Sequence, residues 1–184
     1  MPRAVSCLDR CRTARIISTR PTVNGAPHDP LRHVTDVCAD PAEALALSII
    51  RFLAAGYSTG DVACWDAAYS GAEHLLGAAS GGRLVASLTA LVRALRAERD
   101  GAWTFMPVTC CRVTKDEQAI IDLIGIARTG ASPAIGRAAA ALALRDDAPA
   151  IVAAAQHAAV IIDDVAVGLP VWIGAHRVRP TRLH

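Results

Sequence analysis

The chain has 184 residues, of which 53% are hydrophobic, 20% are charged and only 4% are aromatic, and its net charge is +2. This length is enough to bury a core without disulfide or metal staples, and the near-balanced charge argues against a nucleic-acid-binding or membrane-surface protein. Much of the apolar content is alanine, the residue with the best helix propensity. The composition therefore favours an all-α fold.

The N-terminal part of the chain differs in character from the rest. Residues 1–36 carry several prolines and no sustained periodicity, so we expect a disordered extension there and a single helical domain over 37–184. The first helix is predicted to begin at Asp40, because Asp at the N-cap, Pro at the first helical position and Glu43 three residues after the cap are typical of a helix start. It is predicted to end at Gly56.

The next two helices are predicted from caps and periodicity. Ser58 or Thr59 is expected to cap the second, which continues to Gly77. A loop is predicted at 80–82 because it reads Ser-Gly-Gly. The third helix, over 83–99, carries leucines at helical spacing and therefore presents one apolar face to a core.

One segment is not helical in pattern. Trp103 and Phe105 alternate as in a short extended stretch, and Pro107 prevents that stretch from forming a central strand. We therefore predict an irregular surface loop with aromatic side chains.

Three more helices are predicted in the C-terminal half. Thr114 and Glu117 form a capping box that opens the first of them. The other two cover 132–144 and 147–165, and an irregular tail is expected from 168. The prediction as a whole is a compact bundle of five to six helices.

The adjacent thiols of Cys110 and Cys111 are the sharpest candidate for chemistry. They precede a well-capped helix and adjoin Arg112, and both features favour the thiolate. This predicts a thiol-based sensor that binds a soft metal or responds to oxidation; the alternative is two small residues in a loop wall. Trp103, Phe105 and Arg112 are candidates for contact with a partner protein. No other cofactor is expected, because zinc spacings such as C-x-x-C are missing.

Residues 53–63 contain an Ala-x-Gly-x-Ser turn between two predicted helices. This turn resembles that of helix-turn-helix regulators of the response-regulator type, and the resemblance implies DNA binding. It covers only these residues, and the chain departs from the family at Asp66, where the family keeps an apolar residue. The second helix also carries no Arg or Lys before Arg83, so phosphate contacts are lacking and a nucleic-acid partner is not expected.

Signatures of known enzyme classes are missing as well. The chain has no G-x-S-x-G, phosphate-binding loop, dinucleotide fingerprint or H-E-x-x-H motif. Asp163 and Asp164 are expected to form a salt bridge, for example with Arg177 or Arg179, rather than a metal site. No unbroken apolar run reaches the roughly 20 residues of a membrane span.

These observations lead to one functional expectation. The protein is predicted to be a small non-enzymatic regulatory or adaptor protein that acts through protein–protein contacts, with another protein or a second copy as partner. No secretory signal is recognised before its six cysteines. We therefore expect reduced thiols and a cytoplasmic location. The thiol-based sensor is the first alternative and the DNA-binding regulator is the second.

Overall fold

The computed structural model of the chain describes residues 31–169 and confirms the all-α fold as a compact bundle. Two short strands, β1 and β2, accompany its helices, and the elements follow one another along the chain as β1 Arg32–His33, α1 Val34–Val37, α2 Pro41–Thr59, α3 Val62–Leu76, α4 Ala78–Glu98, β2 Arg112–Val113, α5 Lys115–Arg128, α6 Ser132–Ala143 and α7 Pro149–Ala166. The expectations for residues 1–30 and for the tail from 170 lie outside the described residues.

Residues before position 37 belong to the fold. Arg32 pairs with Val113 in an antiparallel two-stranded sheet, and the backbone N–H of Val34 donates to the carbonyl of Cys111 at 2.9 Å. The predicted disordered extension therefore overlaps with the fold at residues 31–36. Its boundary depends on pairing with a segment about 80 residues further along, which local composition does not reveal.

Helix α2 begins as predicted, because the Asp40 carboxylate accepts a hydrogen bond from the Glu43 backbone N–H at 2.9 Å. It ends at Gly60, whose φ of 70° is left-handed, and not at Gly56. A Cβ on Gly56 would lie 2.5 Å from the Trp65 indole nitrogen. Gly56 therefore serves a close contact with α3 and does not stop the helix.

The loop predicted at 80–82 is helical, because α4 begins at Ala78. A Cβ on Gly81 would lie 2.6 Å from the carbonyl carbon of Ala72 and from the backbone nitrogen of Glu73. The glycine thus lets α4 cross α3 at backbone contact, and packing overrides its low helix propensity. On its side, α3 buries only small residues at four-residue spacing, which are Cys64, Ala68 and Ala72.

Helix α4 is the centre of the bundle and packs against α2, α3 and α7. Its predicted leucine stripe is buried in full, and these leucines are Leu84, Leu88, Leu91 and Leu95. Helix α7 also packs against α5 and α6, so the α4–α7 pair joins the two halves of the bundle. Burial of these aliphatic faces is the main source of stability.

The two acidic residues near the end of α7 form ion pairs with arginines of other helices, while the arginines proposed from the sequence, Arg177 and Arg179, lie outside the described residues. Asp163 bonds to Arg128 of α5 at 2.7 Å, and Asp164 bonds to Arg83 of α4 at 3.2 Å. Helix α7 is nevertheless long and apolar enough to cross a membrane by length and composition alone. No such segment is predicted from the sequence, and core helices of soluble proteins have the same length and composition.

Candidate functional site: a tethered surface loop

Residues 99–111 connect α4 to β2 without regular secondary structure. Connections longer than about 12 residues are uncommon in compact domains and usually carry function. In this chain the connection includes the aromatic and cysteine residues that the sequence singled out. Its backbone is held by side chains of α2 and α5, which makes it the candidate functional site.

A buried ion pair lies beneath the loop. Arg51 of α2 is 2% exposed and Glu117 of α5 is fully buried. The guanidinium contacts the carboxylate through two nitrogens, with Nε–Oε1 at 2.7 Å and Nη2–Oε2 at 3.0 Å. Its remaining donors reach the loop and β2, since Nη1 donates to the Cys110 carbonyl and Nη2 to the Arg112 carbonyl, both at 2.6 Å. The buried arginine therefore fixes the backbone on both sides of Cys111.

The carboxylate of Glu117 also accepts from the loop. The backbone N–H groups of Met106 and Thr114 donate to its two oxygens, each at 2.9 Å. The Thr114 hydroxyl in turn accepts from the Glu117 backbone N–H, which completes the predicted capping box. Because every oxygen has partners, the buried charge is compensated without water.

Asp116 holds the first part of the loop. Its carboxylate bonds to Arg99 at 2.8 Å and accepts from the Thr104 backbone N–H at 2.6 Å and the Thr104 hydroxyl at 2.9 Å. The Thr114 hydroxyl donates to the Thr104 carbonyl at 2.9 Å. Consecutive residues at the start of α5 thus hold the loop at several separate points.

The structure places the predicted contact residues on this loop and strand. The rings of Trp103 and Phe105 pack at 5.8 Å between centroids, and both are half-buried, Trp103 against the core. Arg112 is exposed and donates to the Leu31 carbonyl at 3.0 Å. The two aromatics therefore support one another, and Arg112 adds an exposed positive charge beside the loop.

The two adjacent cysteines differ in exposure. Cys110 is half-buried and its sulfur accepts from the Arg112 backbone N–H at 3.4 Å, whereas Cys111 is exposed. Within residues 31–169, no group of three or more histidine, cysteine or acidic side chains is arranged to hold a metal. A soft-metal or redox role for Cys110 and Cys111 stays a prediction that depends on these two sulfurs alone.

A third cysteine, Cys38, lies elsewhere in the fold. Burial, followed by the charge of Glu43, raises the pKa of the Cys38 thiol to about 12.

A second polar cluster joins three helices on another part of the surface. The Arg128 guanidinium bonds to Asp40 at 2.7 Å, to Glu43 at 2.8 Å and to Asp163 at 2.7 Å. Partial burial acts to lower the pKa of Arg128, but these bonds outweigh it and raise the pKa. Burial likewise acts to raise the pKa of Asp40, but bonds from the Glu43 N–H and Arg128 hold it below the usual value. The cluster fastens α2, α5 and α7 together.

We expect Asp40→Asn to lower the free energy of unfolding at neutral pH by about 0.5–1 kcal/mol, since the amide keeps the helix cap but loses the charge. A carboxylate with a depressed pKa stabilises the fold above its unfolded pKa of about 4, and this contribution is lost as pH falls through the folded value. Urea titrations at several pH values should show the difference between the two proteins shrinking as the pH falls below the unfolded pKa of about 4. An unchanged difference at low pH would contradict this role of the Asp40–Arg128 pair.

The fold and site define an all-α bundle that presents an irregular loop on a network of buried charges. Comparison with known proteins finds no family model, no curated protein and no solved structure that matches the chain.

The sequence predicts the loop but not the side chains that hold its backbone. Arg51 was not among the predicted site residues, although it stands in the run Ile49-Ile50-Arg51-Phe52-Leu53 on the apolar side of α2. A charge at such a position is buried only with a partner. That signal predicts a buried ion pair, but it does not identify Glu117.

Proposed function

We propose that this chain is a non-enzymatic regulatory or adaptor protein, and that the loop of residues 99–111 is its recognition element for another protein. The observation that carries the proposal is the set of contacts that the Arg51–Glu117 pair makes with the loop. Within residues 31–169, and apart from their mutual contact, both side chains bond only to the backbone of residues 106–114. A loop fixed in this way loses little entropy on binding, which favours affinity for a partner.

The surface composition supports the same proposal. Aromatic and arginine side chains are enriched among residues that dominate protein interfaces, and Phe105 and Arg112 lie on this surface. A cytoplasmic location belongs to the proposal, because Cys38, Cys110 and Cys111 form no disulfide within residues 31–169.

The test is purification of the tagged protein at natural expression levels, followed by quantitative mass spectrometry. We expect a partner that wild type and Arg137→Ala retain and that Phe105→Ala/Arg112→Ala loses at least about tenfold, with affinities then measured on the purified pair. Arg137 is exposed on α6 and bonds to no residue of the loop in the described part of the chain. Partners that bind all three proteins equally, or a measured turnover that the loop variant loses, would refute the proposal.

A further inference from the structure

A shallow groove runs between α4 and α7 at the end of the bundle where α4 finishes and α7 starts. Both of its walls consist of alanine side chains, which are Ala90, Ala94 and Ala97 on α4 and Ala150, Ala153 and Ala154 on α7. Its larger lining residues are Tyr57, Arg93 and Arg96, and none of the lining residues is acidic. The groove therefore has apolar walls and two arginines along its α4 edge, while the Glu98 carboxylate at its end is bonded to the backbone N–H groups of Ala150 and Ile151.

The two arginines of the groove differ from most others in the described part of the chain. Arg93 and Arg96 are exposed, and within residues 31–169 neither forms an ion pair. Arg96 instead stacks on Tyr57, with its guanidinium carbon 4.2 Å from the ring centroid. Such a stack holds the guanidinium in place and leaves its edge open to a carboxylate.

Helix α3 carries the opposite charge on its outer face. Val62, Asp66, Tyr69 and Glu73 follow one another at four-, three- and four-residue spacing and so lie on one side of the helix. All four are exposed, and Val62 is 67% exposed. The helix has no lysine or arginine, and in the described part of the chain neither carboxylate has an ion-pair partner. This face, which we call the acidic face, is apolar and negative.

The groove and the acidic face adjoin one another. Tyr57 lines the groove, and its ring meets that of Trp65 edge-on at 4.6 Å between centroids. Trp65 precedes Asp66 and lies between the buried stripe of α3 and the acidic face. Two complementary patches that adjoin on one molecule can pair reciprocally with a second copy across a twofold axis.

We propose that the chain forms a symmetric dimer in which the acidic face of each protomer lies in the α4–α7 groove of the other. Asp66 and Glu73 then meet Arg93 and Arg96 of the second copy, while Val62 and Tyr69 cover the alanine walls. The small alanine side chains allow a helix to approach closely. The Tyr57–Trp65 contact lies near the axis. This dimer is independent of the loop at 99–111.

Sedimentation equilibrium of the full chain and two charge-reversed variants tests the dimer. The first variant is Arg93→Glu/Arg96→Glu, and the second is Asp66→Arg/Glu73→Arg. Each variant alone places like charges opposite one another, so we expect the dissociation constant to rise about a hundredfold. An equimolar mixture restores both complementary contacts and should give a heterodimer. Association should also weaken between about 0.05 M and 0.5 M NaCl.

Matched controls separate this effect from a general change of charge. Arg137→Glu on α6 and Asp122→Arg on α5 alter exposed residues away from both patches and should dimerise as wild type does. Circular dichroism checks that every variant is folded. The proposal is overturned if wild type is monomeric at about 0.1 mM, if either reversed variant still dimerises alone, or if the folded variants fail to associate when mixed.

Discussion

Replacing Arg51 with methionine is expected to lower the free energy of unfolding by about 3–5 kcal/mol. The substitution leaves Glu117, which is fully buried, without its positive partner. It also removes the donors that the carbonyls of Cys110 and Arg112 accept from. A buried charge or carbonyl that loses its partner costs far more than an exposed one. Urea denaturation measures the loss from the midpoint and slope of the transition.

The matched control is Arg83→Met. Arg83 forms an ion pair with Asp164 in which both side chains are more than half exposed, so its loss should cost at most about 1 kcal/mol. Arg51→Lys keeps the charge but lacks the planar fork, and an intermediate loss is expected. If Arg51→Met and Arg83→Met cost the same, the buried pair does not hold the loop as the contacts indicate.

In Arg51→Met, the loop of residues 99–111 should lose its structure under conditions in which the helices of the bundle stay folded. Hydrogen exchange of the Met106 backbone N–H, which donates to Glu117, should accelerate more in Arg51→Met than exchange in α4. This result would connect the buried pair to the proposed function, because a loop without its anchor pays the ordering cost on binding. If the loop keeps its protection from hydrogen exchange in Arg51→Met, the buried pair does not determine the order of the loop and is not connected to the proposed function.

Most helix starts could be predicted because their signals are local. Asp40 caps α2, and Thr114 with Glu117 opens α5 through a reciprocal pair of bonds, as their spacing indicates. The leucine stripe of α4 is likewise local, since residues three and four apart share a face. Each of these predictions needs only a few consecutive residues.

The position of the candidate site could be predicted from the sequence, but the contacts that build it could not. Aromatic, proline and cysteine residues marked 103–113 as irregular, yet the side chain that anchors it comes from α2. Arg51 and Glu117 are 66 positions apart, and only the packing of α2 against α5 brings them together. The same limit applies to the groove and the acidic face, because the dimer contact that we propose for them is not contained in one element. Periodicity identifies which face of a helix is unusual but not what that face meets.

Glycines show this limit most plainly. Gly81 and Gly82 are adjacent, and their Ser-Gly-Gly context predicted a loop for both. In the fold Gly81 contacts the backbone of α3, while a Cβ on Gly82 would meet nothing within 4 Å. Their sequence context is almost the same, so only the crossing of α3 and α4 distinguishes them.

Gly81→Ala is therefore expected to lower the free energy of unfolding by about 3 kcal/mol, at the upper end of what overpacking costs. The added Cβ would lie 2.6 Å from two backbone atoms, which cannot rotate away as a side chain can, so α3 must move off α4. Because the fully buried residues of α3 are all small and lie along its contact with α4, the amides of α3 should also exchange faster. Chemical denaturation and hydrogen exchange measure the two effects.

Gly82→Ala provides the control at the neighbouring position. The same methyl group enters open space, and alanine is the better helix former, so this variant should be more stable than wild type by about 0.5–1 kcal/mol. Opposite signs at adjacent glycines would establish that backbone contact between α3 and α4, and not helix propensity, determines the identity of residue 81. Two stabilising substitutions would instead mean that the helices cross at a greater distance and that α3 holds its position, and hence the acidic face, by other contacts.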